Sequence, residues 1–135
     1  MDKFKVSIEK QEDGSYIAYN TNVDGYTLLG TGDTVAEAKK DFANSMSEVA
    51  EVEKERLGEV PAVFTNEPDY KFDLSSLFEY YSMINVSAFA RFLGINDALM
   101  RQYRKGDTYI SDTQLKKIED GIHRLGNEFS RLQLS

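Results

Sequence analysis

The hydrophobic residues of this chain keep two different periods, and the change between them limits the fold more than any single motif. Near the N-terminus Phe4, Val6 and Ile8 alternate with Lys5, Ser7 and Glu9, the period of two that puts one face of a strand into a core. "EDG" at 12–14 supplies a turn, because Gly14 can take the positive φ of a tight hairpin. "SYIAYN" then reads as a second strand and, after a turn at Asp24-Gly25, "YTLLG" (26–30) as a third. Three strands in succession predict an antiparallel meander. From residue 34 the spacing changes to three and four: Val35, Ala38, Phe42, Met46, Val49, Ala50 and Leu57 share one face of a long helix. Thr34 and Glu37 fit a capping box at its start, and Gly58 a stop at its end. "VPAVF" (60–64) is expected to add a fourth strand at the sheet edge, since Pro61 cannot donate to a ladder.

"TNEPDY" (65–70) has turn residues and no hydrophobic period, so it reads as a linker. Beyond it the spacing is helical. "DLSSLFEYYSMI" predicts a helix capped by Asp73 or Ser76, with Leu77, Phe78, Tyr81 and Ile84 facing a core. "NVSAFARFLG", capped by Asn85 or Ser87, and "NDALMRQYRKG", running from Asn96 to Gly106, are the next two. "SDTQLKKIEDGIHRLG" is the fourth, opened by Ser111 and Gln114 as a capping box. The expected fold class is α+β, with a small unit at 1–64, a linker at 65–70 and an all-α unit at 71–135.

Charge divides along the same line. Residues 1–70 hold 7 Lys+Arg against 15 Asp+Glu, a balance of -8, while residues 71–135 hold 9 against 8, a balance of +1. The contrast implies two modules with different partners. With no cysteine in the chain, disulfides, thiolate nucleophiles and cysteine zinc sites are excluded, and a reducing cytoplasm is the expected setting. No apolar run reaches the ~18 residues of a membrane span, and no signal-peptide h-region opens the chain.

Chemistry finds little footing. Asp13 and Asp24 stand in turns, where Asp is common for backbone reasons. His123, the single histidine, lies on a helix without an evident partner, and "GTGD" (30–33) is too short for a phosphate loop. No catalytic residue, metal or cofactor is expected.

The second and third predicted helices of the C-terminal unit carry the functional signal. Ala90 lies four residues before Gly94, Ile95 follows, and Met100 and Tyr103 come later, while Phe89 and Leu93 fill the inner face. A small residue, a glycine turn and locking apolar positions make the helix-turn-helix pattern. A tight structural corner between two helices uses the same devices, so both readings stand. Within 86–105, Arg91, Arg101, Arg104 and Lys105 face only Asp97, a local +3. Because screening acts over ~8 Å at physiological salt, such a patch can attract phosphate despite distant acids. On the outward face of the third helix lie Asn96, Asp97, Ala98, Arg101, Gln102 and Lys105. Arg101 and Gln102 suit base edges. Arg104 and Lys105 suit phosphate. Asp97 either accepts from cytosine or complements the helix N-terminus. Ser87, at the start of the preceding helix, completes the candidate DNA-binding set. Ile122, Leu125, Phe129, Leu132 and Leu134 offer a pairing surface for a homodimer or higher even oligomer, or burial against their own core.

At "DGSY" (13–16) and "GDTVAEA" (32–38) the N-terminal unit resembles the HicB antitoxin family, over roughly residues 3–60. The resemblance implies a degenerate, truncated RNase H-like fold that covers HicA, a small basic RNA-cleaving toxin. "YTLLGTGDT" is longer here than the corresponding stretch of that family, so no toxin-contact residues are carried over. The C-terminal unit resembles the XRE/lambda-repressor-type family, with "YRKG" matching its aromatic-x-x-Gly ending. Together these imply an antitoxin that neutralises its toxin and represses its own operon by binding double-stranded operator DNA. Two alternatives remain: a stand-alone transcriptional regulator whose N-terminal domain senses a protein or ligand, and a nuclease relic with residual metal-dependent activity.

Overall fold

The computed structural model describes residues 3–135. They form a four-stranded mixed sheet and five α-helices. Strand β1 (Lys5–Lys10) pairs antiparallel with β2 (Tyr16–Asn20), and β2 with β3 (Leu29–Gly32). At the first turn Gly14 has φ 89°. Asp13 accepts from the Ser15 backbone N–H at 2.9 Å. The third strand thus begins three residues later than expected, because Tyr26 and Leu28 turn inward from a loop. Leu28 is buried, and the Tyr26 ring meets Phe64 edge-on at 5.0 Å.

Helix α1 (Val35–Leu57) lies across one face of the sheet. Thr34 Oγ1 accepts from the Glu37 N–H at 3.1 Å, while the Glu37 carboxylate reaches back to the Asp33 N–H at 3.2 Å. Gly58 closes the helix at φ 85°. Ala38, Phe42 and Met46 are buried, but Leu57 is exposed. Two glycines of β3 decide how close the helix comes: a Cβ on Gly30 would lie 2.3 Å from the Phe42 nitrogen and 2.4 Å from the Ala38 oxygen. Phe4, Val6, Ile8 and Ala18 from the sheet complete this core. Each large side chain removed from water there contributes about 1.5–3 kcal/mol.

Residues 60–64 do not form the expected strand. Ala62–Thr65 is a 3₁₀ turn preceded by Pro61, with both Val63 and Phe64 buried. Adjacent residues on a strand face opposite sides, so burying both on one side requires a turn. The fourth strand, β4, is Asp69–Phe72, and it lies parallel to β1 at the sheet edge in the order β3-β2-β1-β4. Asp69 and Tyr70, expected in a linker, are therefore sheet residues.

The helical cluster follows without a break. The Asp73 N–H donates to the Ile8 carbonyl at 2.8 Å, while its side chain caps α2 (Leu74–Tyr80). Phe72 packs against both hydrophobic cores. Lys10 adds a clasp: its Nζ lies 4.4 Å from the Tyr16 ring centroid and 4.6 Å from that of Tyr80. Helices α3 (Val86–Leu93), α4 (Asp97–Lys105) and α5 (Asp112–Arg131) enclose the second core of Phe78, Phe89, Ala90, Met100 and Ile118. Tyr81, expected in that core, is exposed, whereas Leu74 is buried. Among the described residues no helix is long and apolar enough to cross a membrane.

Candidate nucleic-acid interface

The joint between α3 and α4 is built from its smallest residues. Gly94 takes φ 72°, and the Ile95 N–H turns back to the Ala90 carbonyl at 2.9 Å. Only glycine adopts that backbone freely. Ala90 and Met100 are fully buried, and Ile95 and Tyr103 nearly so, which locks α4 across α3. Burial also raises the Tyr103 phenol above its usual pKa. Helix α5 braces the joint from behind. Lys117 Nζ donates to the Gly94 carbonyl at 3.3 Å, and Arg124 donates to the Phe92 carbonyl at 3.2 Å with its guanidinium 4.4 Å from the Phe92 ring centroid. A Cβ on Gly121 would lie 1.8 Å from Leu93 Cδ2, so a glycine inside α5 lets the two helices meet.

On the solvent side, α4 presents its charge. Arg101, Arg104 and Lys105 share a groove of about 310 Å³ with Ile84, Asn85, Val86 and Ser87. None of these three cations has an ion-pair partner among the described residues. Asn85 caps α3 by accepting from the Ala88 N–H at 2.9 Å. The first N–H groups of α3 and the positive end of its dipole thus sit in the same groove as the cations. A helix N-terminus beside Arg and Lys side chains is an arrangement suited to a phosphate group.

The other predicted residues are placed differently. Asn96 is occupied as the cap of α4, its Oδ1 accepting from Ala98 at 2.8 Å and Leu99 at 3.2 Å. Asp97 faces Arg91 with 3.3 Å between Oδ2 and Nη1, an ion pair across the two helices. Asp97 thereby neutralises one of the four basic residues in the segment. Ala98 and Gln102 are exposed on α4 but do not line the groove. The structure therefore brings together Ser87, Arg101, Arg104 and Lys105 in one groove, whose lining does not include Ala98 or Gln102.

Four residues take parts that local sequence pattern does not announce. Asn85 was read only as a cap, yet it lines the groove. Arg124 and Lys117 brace the joint from 23 to 32 residues away, and no local pattern announces such partners. Glu53, on the sheet side, is buried at 6 % exposure inside an otherwise polar stretch of α1. Arg56 donates to it at 2.6 and 2.9 Å and the Tyr26 hydroxyl at 2.6 Å. First the Arg56 guanidinium and then Tyr26 hold the Glu53 carboxyl down at about 2. These bonds tie α1 to the β2–β3 loop. Among the described residues no group of three His, Asp or Glu is placed to hold a metal ion. No protein-family model, curated protein or solved structure matches this chain.

Proposed function

We propose that this protein is a DNA-binding antitoxin-type regulator of the HicB kind, whose α3–α4 pair docks on operator DNA as a helix-turn-helix. The observation that carries the reading is the groove that Arg101, Arg104 and Lys105, without ion-pair partners among the described residues, share with the start of α3. In this reading α4 enters the major groove. Arg101 and Gln102 face base edges, while Arg104, Lys105 and Ser87 hold phosphates on either side. Arg91 stays muted by Asp97 and serves the joint.

The sheet layer has the other role. Its strands, the long α1 and the added strand are consistent with the degenerate RNase H-like arrangement that the resemblance implies. Its surplus of 15 Asp+Glu over 7 Lys+Arg in residues 1–70 complements a small basic RNA-cleaving toxin, steering encounter and selecting the partner. Repression and neutralisation would then be carried by two surfaces of one chain joined through β4 and α2.

Fluorescence anisotropy with double-stranded DNA from upstream of the gene, measured across a salt series, tests the DNA arm. The triple variant Arg101→Ala, Arg104→Ala, Lys105→Ala is expected to bind on the order of 100-fold more weakly, with the salt slope lower by roughly 2–3. Unchanged affinity and slope would end the assignment. Gln102→Ala is expected to relax sequence preference at one position by about 1–3 kcal/mol while leaving the slope alone. For the toxin arm, co-expression with a small basic ribonuclease encoded next to it should give a stable complex with suppressed RNA cleavage.

A further inference from the structure

The two edges of the sheet are finished differently. On the β3 edge the chain satisfies its own backbone: Asp41 of α1 accepts from the Thr31 N–H at 2.9 Å, and Ser45 Oγ donates to the Leu29 carbonyl at 2.9 Å. Bonds of this kind remove the template for a further strand. The β4 edge has no such cover. Asp69 and Asp73 donate their N–H groups toward β1, to the Phe4 and Ile8 carbonyls, both at 2.8 Å. Alternate residues of a strand turn their backbone groups to opposite sides, so Tyr70 and Phe72 turn theirs away from β1. Among the described residues no group bonds to the N–H or C=O of either there.

This open edge borders an apolar cleft of about 620 Å³, walled by Tyr70, Phe72 and Val35 on one side and by Leu115, Ile118 and Ile122 of α5 on the other. Val6 and Ile8, the register partners of Tyr70 and Phe72, belong to the core under α1, which puts both rings on the same face as the cleft. Lys39, Asp112, Glu119 and His123 are the titratable groups without a phenol that line it. Glu119 is shared with Lys116, 3.9 Å away. Asp112 stands in the first turn of α5, where the helix dipole already favours a carboxylate. Lys39 lies on the β4 side, its Nζ 5.3 Å from the Tyr70 ring centroid, and has no ion-pair partner among the described residues. The charge left unanswered beside the open edge is thus positive.

We propose that the β4 edge and this cleft form one site for an extended peptide segment of a partner protein, bound by strand addition. The segment lies along Tyr70 and Phe72 and exchanges backbone hydrogen bonds with them, while its alternate side chains enter the cleft. Those side chains are apolar, matching the walls, and one acidic residue among them meets Lys39. The edge is four residues long, about 13 Å at 3.3 Å per residue, so a segment of about five or six residues covers it. An acidic, apolar segment is the opposite in charge of the basic toxin proposed above. The site is therefore a second partner surface, and it depends on neither arm of that proposal.

Amide hydrogen exchange of the full chain, followed by NMR, tests the edge first. The Tyr70 and Phe72 amides are expected to exchange on the order of 100-fold faster than that of Lys71 between them. Equal protection of the three overturns the proposal, as does protection that appears only when the chain dimerises, which would give the edge to a second copy. Random dodecapeptides displayed on phage and panned against the full chain supply the probe. Enriched sequences are expected to alternate apolar residues around one Asp or Glu, and their synthetic peptides to protect Tyr70 and Phe72. Methylating the peptide backbone nitrogens one at a time should weaken binding at least about 10-fold at every second residue, the loss of one edge hydrogen bond. No enrichment, or a methylation scan without that period, overturns strand addition; a flat scan would instead mark a pocket that reads side chains alone. Lys39→Glu should weaken binding about 10-fold and recover it when the acidic residue of the peptide is changed to Lys, and failure of that exchange removes the charge assignment. Tyr70→Pro should bind at least about 10-fold more weakly than Tyr70→Ala, since both lose the ring but only proline loses the outward N–H. Equal binding by the two variants, with equal Tm, also overturns the proposal.

Discussion

The sheet layer and the helical cluster both use glycine to bring elements together, yet they differ in what they leave open. In the layer, Gly30 and Gly32 bring the backbone of α1 almost onto β3, and nearby carboxylates are tied off: Asp41 accepts from the Thr31 N–H at 2.9 Å, Glu9 from Tyr19 at 2.6 Å, and Glu53 from Tyr26 and Arg56. In the cluster, Gly94 makes a turn and Gly121 receives a side chain, while Arg101, Arg104 and Lys105 have no ion-pair partner among the described residues. A chain with a net charge of -7 can therefore still carry a locally positive groove. What matters is which charges are internally satisfied and how far the rest stand from the groove.

Gly30→Ala should be the most damaging substitution in the layer. Its Cβ would meet backbone atoms that cannot rotate away, so a loss above about 3 kcal/mol is expected in urea unfolding. Gly121→Ala meets only the far end of the Leu93 side chain. A rotamer change can relieve it, and a loss of about 1–2 kcal/mol is expected. If Gly121→Ala proved the more damaging of the two, the contrast between backbone and side-chain approach would be wrong.

Acid should act on the layer through Glu53. Its carboxyl is held at about 2, below the usual 4.5, by Arg56 and Tyr26. A depressed carboxylate stabilises the fold fully above the unfolded value, and that contribution is lost as pH falls through the folded one. Thermal unfolding followed by circular dichroism should therefore show Tm falling between about pH 4.5 and 2, with a shallower fall in Glu53→Gln. An identical acid profile for the two proteins would remove Glu53 from the account.

A smaller change is expected at the ion pair between α3 and α4. Asp97→Asn frees Arg91, which faces it at 3.3 Å, so DNA affinity should rise a few-fold and the salt slope by at most about 1. A fall in affinity would mean that Asp97 itself contacts DNA, or that the ion pair positions α4.

Much of the fold was legible because it rests on local physics. Thr34, Asp73, Asn85, Asn96 and Ser111 all cap the helices they precede, since a short polar side chain one residue before a helix satisfies N–H groups within its reach. Gly14, Gly58, Gly94 and Gly106 all take positive φ. The errors fell where distant pairing outweighs local pattern. The alternation of Asp69, Tyr70, Lys71 and Phe72 is short enough to pass for a linker until β1 pairs with it. Of the site, the basic residues and the joint were readable, but the division among them was not. Asn96 and Asp97 look as outward as Arg101 on a helical wheel, yet a cap and an ion pair occupy them.

Local pattern alone set where helices start and stop, most of the residues that line two cores, and the gathering of positive charge between residues 86 and 105. Spacing and nearest-neighbour hydrogen bonding set all of these. Only the tertiary structure decided that β4 closes the sheet beside β1, that Glu53 is buried, and that Ser87 joins Arg101, Arg104 and Lys105 in one groove. Those outcomes depend on groups as far as 66 residues apart meeting in space, as Lys10 and Ser76 do. No one-dimensional period encodes such a meeting.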